Sequence, residues 1–169
     1  MNRSGSPTDL THLDADGRAS MVDVGEKPIT ARVAVAEGFV RIGPDLEAAI
    51  AEGSVAKGPV LDIARIAGIL AAKRTDELIP LCHTLPLDGI EVDAHLESGR
   101  VRVEATVRTR GRTGVEMEAL VAVGMACLTI VDMGKAIDRA MVVEGIRVLE
   151  KHGGRSGSHV ADGRRPSAS

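Results

Sequence analysis

The chain has 169 residues, 44% hydrophobic and 27% charged, the size and balance of a single soluble globular domain. A formal charge of −3 excludes a broad basic surface for duplex nucleic acid, and one Phe with no Trp or Tyr removes the stacking platforms that single strands need. Two cysteines, Cys82 and Cys127, are too few for a disulfide framework or a four-thiolate zinc site, so both are expected as buried free thiols.

The opening MNRSGSPTDL lacks an apolar core, so no secretory leader is expected. The longest uncharged stretch, Ala119–Val131, has 13 residues against the ~20 that cross a bilayer, so the expectation is a cytoplasmic protein with no membrane partner. Residues 1–10 and 153–169 are rich in Gly, Ser, Pro and charge and are read as disordered tails around one domain at 11–152, without internal repeats. Asp14-Ala-Asp16-Gly17 begins like a calcium loop but lacks the remaining ligands.

Residues 19–42 alternate in two short runs, SMVDV and ARVAVAEGFVRI, separated by Gly25 and Pro28, which reads as two strands or a hairpin. Pro44 suits the first turn of a short helix to Glu52. Gly58-Pro59 opens a second helix, VLDIARIAGILAAKR, whose Val60, Ile63, Ala64, Ala67, Leu70 and Ala71 recur at helical spacing. Ile90–Leu96 and Val101–Val107 alternate around Ser98-Gly99 as an antiparallel hairpin. Thr113-Gly-Val-Glu116 has the spacing of a capping box at the head of a long helix running to about Met133, and Ile146–Leu149 suggests a final strand. Hairpins with interspersed helices, rather than regular βαβ units, predict an α+β sandwich.

The long helix is apolar almost all round, through Leu120, Val121, Val123, Met125, Leu128, Ile130 and Val131. A helix without a polar face must be covered on most sides, and a domain this small has little to cover it with, so a subunit interface is expected.

No phosphate-binding P-loop, dinucleotide fingerprint, H-E-x-x-H or paired C-x-x-C occurs, so no metal or cofactor is expected. The polar candidates are clusters. Lys57 precedes a helix start, where exposed amides favour anions. Lys73 and Arg74 close that helix and, taken alone, read better as dipole complements than as phosphate ligands. Leu81-Cys82-His83 lies in a segment framed by Pro80 and Pro86, where a histidine is held stiffly enough to donate a proton or bind phosphate, although a lone histidine is as often just a satisfied polar group. Glu116 and Glu118 bracket Met117 in the first turn of the long helix, where acidic residues also complement the dipole. Asp132 and Lys135 interrupt the apolar end of that helix one turn apart, and read as a costly buried charge pair. Glu118 and Asp132 are 14 residues apart, or about 21 Å in a straight helix. To serve one site they need a second subunit, or a substrate long enough to touch both.

Taken in order, SMVDV, Lys57-Gly58, ARIAGILAAKRT, LIPLCHTL, RTGVEMEAL, LTIVDMGKA and GGRSG closely resemble the blocks of the cyclic pyranopterin monophosphate synthases of molybdenum cofactor biosynthesis, across residues 10–157. Two departures stand out: Thr84 follows His83 where the family commonly has proline, and Arg155 stands where it has lysine. The resemblance implies a lyase that converts 3′,8-cyclo-7,8-dihydroguanosine triphosphate to cyclic pyranopterin monophosphate and pyrophosphate. It also implies a ferredoxin-like antiparallel sheet packed on long helices, and a homohexamer (a trimer of dimers) with active sites at subunit interfaces. By motif position it makes Asp132, Lys57 and Lys135 catalytic, and has Leu81, Cys82, His83, Glu116, Met117 and Glu118 line the substrate. Arg32, Lys73 and Arg74 would hold phosphates. Two rivals make different predictions. A hydrolase holding magnesium on Glu118 and Asp132 would need metal and release phosphate from ordinary GTP, and in a purely structural assembly protein replacing Lys57, His83, Asp132 or Lys135 would change assembly rather than turnover.

Overall fold

The computed structural model describes residues 18–154 and 157–161. The expected tail at 1–10, the Asp14–Gly17 segment and most of the expected tail at 153–169 lie outside these residues.

Strand β1, Thr30–Arg41, is central. Helices α1 (Pro44–Glu52), α2 (Val60–Ala72) and the single turn α3 (Thr75–Leu78) follow, then the hairpin β2 (Leu87–Glu97) and β3 (Arg100–Gly111). Helix α4 (Glu116–Gly134) leads to β4 (Val142–His152) and the two-residue β5 (His159–Val160). The sheet is antiparallel in the order β2-β3-β1-β4-β5. Its first four strands follow the order of two interleaved βαβ units, consistent with the ferredoxin-like arrangement.

Alternation decides the two faces of the sheet. Ala36 pairs with Ala105, Gly38 with Val103 and Val40 with Val101, and all of them point toward the helices. Those three valines are fully buried, each burial stabilising by about 1.5–3 kcal/mol. Small residues bring the layers close. A Cβ on Gly68 of α2 would stand 2.8 Å from the backbone oxygen of Ala122 in α4, so only glycine allows this approach.

The opposite sheet face is charged. Glu37, 5% exposed, accepts from Arg102 at 3.0 and 3.1 Å on one oxygen and from Arg147 at 2.8 and 3.0 Å on the other. Burial raises its pKa, but the hydrogen bonds from Arg147 and Arg102 outweigh that and hold the carboxyl below its ordinary range.

Several expectations need correction. Residues 20–24 form no strand beyond an isolated bridge at Ala19, because β3 and β4 already occupy both edges of β1. The capping box does not form. The N-cap of α4 is Val115 with no side-chain cap, and the Glu116 carboxylate instead pairs with Lys151 at 3.2 Å. The final strand is longer than Ile146–Leu149 because register shifts beside Glu37 interrupt its alternation. Helix α4, with its charged ends included, has the length and composition to cross a membrane, but here it packs as a core helix on α2 and the sheet.

Only half of α4 is buried. Its outer side leaves Leu128 56% exposed, and α2 leaves Ile66 and Leu70 58% and 53% exposed. The apolar cover expected from the sequence is therefore not supplied within one chain.

Candidate active site

The polar residues gather at the two ends of α4. At its C-terminal end Asp132 accepts from Lys57 Nζ at 2.7 Å on one carboxylate oxygen and from Lys135 Nζ at 2.7 Å on the other. Lys57 also donates to the Asp132 carbonyl at 2.8 Å. Lys57 arrives from the loop between α1 and α2, and Lys135 is the C-cap of α4. The Asp132–Lys135 pair is not buried, contrary to the sequence reading: its side chains are 56% and 61% exposed. Helical spacing put the pair on one side of α4, but that side faces outward. Hydrogen bonds from Lys135 and Lys57, together with their charges, pull the Asp132 carboxyl down to about 2. Asp132 is thus a permanent carboxylate that gathers two ammonium groups at the surface.

At the N-terminal end of α4 two adjoining cavities share Lys27, Thr113 and Gly114. The smaller, about 310 Å³, is lined by Leu81, Cys82, His83, Met117 and Glu118, so the structure brings these candidates together from two distant stretches of sequence. The imidazole Nε2 of His83 lies 2.8 Å from the carbonyl of Val22 and donates to it. That bond ties the SMVDV segment over the cavity and leaves Nδ1 as the other ring position. Thr84, the departure from the family pattern, donates to Asp76, which anchors the loop on α3.

Glu118 is 4% exposed. Burial is the main cause that pushes its carboxyl up to about 6, and the negative charges of Glu116 and Asp76 add to it against an opposing backbone hydrogen bond. Burial also raises the Cys82 thiol, with the negative charges of Glu118 and Asp76 contributing.

The larger cavity, about 1020 Å³, collects Arg32, Arg112 and Lys151 opposite Glu116. The Arg32 guanidinium donates to the carbonyls of Gly111 and Arg112 at 3.1 and 3.0 Å. Gly154, at φ 79°, lies so close that a Cβ there would collide with the guanidinium. Lys27, Arg112 and Lys151 were not singled out from the sequence. The signal was present in Lys151, which stands immediately before His152 and the GGRSG block, yet charge alone does not show that a strand end turns into a cleft.

Two candidates join neither end. Lys73 is exposed at the C-cap of α2, and Arg74 borders an outward groove with Leu70, Leu78 and Met125. Within one chain Glu118 and Asp132 do not converge on a common ion. Among the described residues no group of three or more His, Cys, Asp or Glu is placed to hold a metal.

This architecture is an α+β sandwich with a cleft lined by charged residues of both signs at one end of its long helix and a lysine–aspartate cluster at the other. The chain belongs to the MoaC family, whose model matches residues 21–154. Proteins named cyclic pyranopterin monophosphate synthase are similar to it along almost their whole length. The one from Roseiflexus sp. (strain RS-1) is 59% identical over 92% of this chain and 99% of its own. That from Methylobacterium sp. (strain 4-46) is 57% identical over 90% and 97%, and that from Corynebacterium efficiens 55% over 89% and 97%.

Proposed function

We propose that this chain is a cytoplasmic cyclic pyranopterin monophosphate synthase of the lyase class. It takes the cyclised GTP intermediate to cyclic pyranopterin monophosphate and pyrophosphate, working as a homohexamer with each active site built by two subunits. Membership of the MoaC family and the names of its relatives support the reaction. One observation carries the assembly. Each chain holds two half-sites about 21 Å apart along α4, the distance that 14 residues span. Between them on α4 Leu128 is exposed, and α2 leaves Ile66 and Leu70 exposed as well. A second copy laid on these residues would cover them and bring Lys57, Asp132 and Lys135 of one chain toward the cavity of the other.

The residue chemistry suits the reaction. Opening the guanine-derived ring and reclosing it as a pterin moves protons but no net electrons, so general acids and bases suffice. Glu118, titrating at about 6 beside His83, can give and take a proton near neutral pH. Arg32, Arg112 and Lys151 would hold the triphosphate. Closing the cyclic phosphate forms a bond from a substrate hydroxyl to the α-phosphorus and breaks the bond to the β-phosphate. The hydroxyl proton leaves to a base, and pyrophosphate departs with its charge met by the ammonium groups of Lys57 and Lys135.

Purified protein given the cyclised GTP intermediate, with chelator present, should release pyrophosphate and pterin in equal amounts. Mixing Lys57→Ala with Glu118→Ala subunits tests the shared site, because each mixed pair contains one intact site. About a quarter of wild-type turnover should return after equimolar mixing by exchange or co-expression, since half the pairs are mixed. No recovery would reject the shared site, and no turnover by the folded wild type would reject the synthase.

A further inference from the structure

We infer that Asp138 is a positioning residue for the Lys57–Asp132–Lys135 cluster, locking α1 and the Lys57 loop that follows it onto the last turn of α4. The inference rests on the reading of that cluster as catalytic. Asp138 sits just beyond α4, where the chain doubles back and the amides of Ile137 and Asp138 both donate to the Gly134 carbonyl. Its carboxylate is spent on two backbone amides rather than on the cluster. One oxygen accepts from Ala140 at 2.8 Å, and the other accepts from Gly43 at 2.7 Å across 95 residues of sequence.

Gly43 is the N-cap of α1 and supplies no side-chain cap of its own. Asp138 therefore provides from elsewhere in the chain the acceptor and negative charge that a helix start favours. A second contact makes the joint specific. A Cβ on Gly134 would stand 2.6 Å from Cδ2 of Leu46, a fully buried residue of α1, so the helix lies directly against the end of α4. A third tie, from the Gly99 amide to Glu47 at 2.9 Å, fastens the same helix to the β2–β3 turn. The loop leaving α1 is pinned below by buried Val55 and Val60, with the Gly58 amide closing a turn on Val55 at 2.9 Å. Lys57 projects from that turn to Asp132. One side of the cluster thus rides on α1 and the other on α4, and Asp138 joins the two backbones.

The experiment uses the full chain in its native assembly and four variants: Asp138→Ala, Asp138→Asn, Lys57→Ala and the double Lys57→Ala/Asp138→Ala. In Asp138→Ala, kcat should fall on the order of ten- to a hundredfold with KM near wild type, the effect of misplacing a reacting group by an ångström or less. Asp138→Asn keeps one acceptor and should recover part of the loss. On the Lys57→Ala background the same change should cost little more, because the residue through which Asp138 acts is already gone. Amide exchange should quicken over residues 43–59 and stay unchanged in strands β2 and β3 away from the Gly99 turn that α1 holds. Val101→Ala, a core truncation of comparable instability, should keep kcat. The proposal is overturned if kcat of Asp138→Ala stays near wild type, or if its loss is the same with and without Lys57. Unchanged exchange at 43–59 overturns it as well. Should Asp138→Ala fail to fold, Asp138→Asn carries the same comparisons. If Lys57→Ala itself turns over normally, the catalytic reading of the cluster has failed, and the exchange data alone then decide whether Asp138 seats α1.

Discussion

The two ends of α4 treat the same functional group in opposite ways. Glu118 is enclosed, near like charges, and held up to about 6, while Asp132 stands in solvent between two ammonium groups and is drawn down to about 2. Desolvation governs the first and direct hydrogen-bonded pairing the second. One helix therefore presents a carboxyl that exchanges protons near neutral pH and another that stays ionised there. The division suits a reaction that must shuttle protons on a ring at one point and neutralise phosphate charge at another.

The sharpest way to break this contrast is to remove the exposed end. Asp132→Ala should lower turnover by about 10²–10⁴ while leaving thermal stability near wild type, because the group lies in solvent; assays and melts on the same preparation decide it. A large fall in Tm would show that Asp132 holds the fold instead.

Next in size is the seat between the ends. Gly68→Ala forces α2 away from the Ala122 carbonyl and should cost about 1–3 kcal/mol in denaturant unfolding, since backbone cannot yield.

Smaller, but sharper in form, is the pH response of Glu118→Gln. The folded-state pKa lies above the ordinary 4.5, so ionising Glu118 disfavours the fold. The wild type should lose stability relative to the variant as pH rises from 4.5 through about 6, and keep that deficit above it. Melts at fixed protein concentration across this window test the sign. Asp132→Asn should show no such drift between about pH 5 and 8, where Asp132 is ionised in both states.

Least of all, Lys135→Ala should barely move the melting temperature, because an exposed pair one turn apart contributes little to stability.

Much of the fold was legible because periodicity reports it directly. The clean alternation of β2 and β3 and the length of α4 are properties of neighbouring residues. What failed depended on the third dimension. An apolar run says that α4 must be covered but not which side is covered by its own chain, so Asp132 and Lys135 were placed inside when they lie outside. Thr113 and Glu116 have the capping spacing, yet Lys151 from β4 claims the carboxylate. The turn α3 and the two-residue β5 are too short to leave a pattern. Of the candidate site, the blocks named several lining residues but not Lys27, Arg112 or Lys151, nor that His83 reaches Val22 or that Lys57 reaches Asp132 across 75 residues.

The doubly held Glu37 has a consequence for how the sheet assembles. Strand pairing repeats every two residues, so a slip of β1 by one position would turn every side chain to the other face. Glu37 would then enter the valine layer beneath α4 without either arginine, a burial of charge that no packing there could offset. Because Arg102 lies on one neighbouring strand and Arg147 on the other, a single residue proofreads both pairings of the central strand.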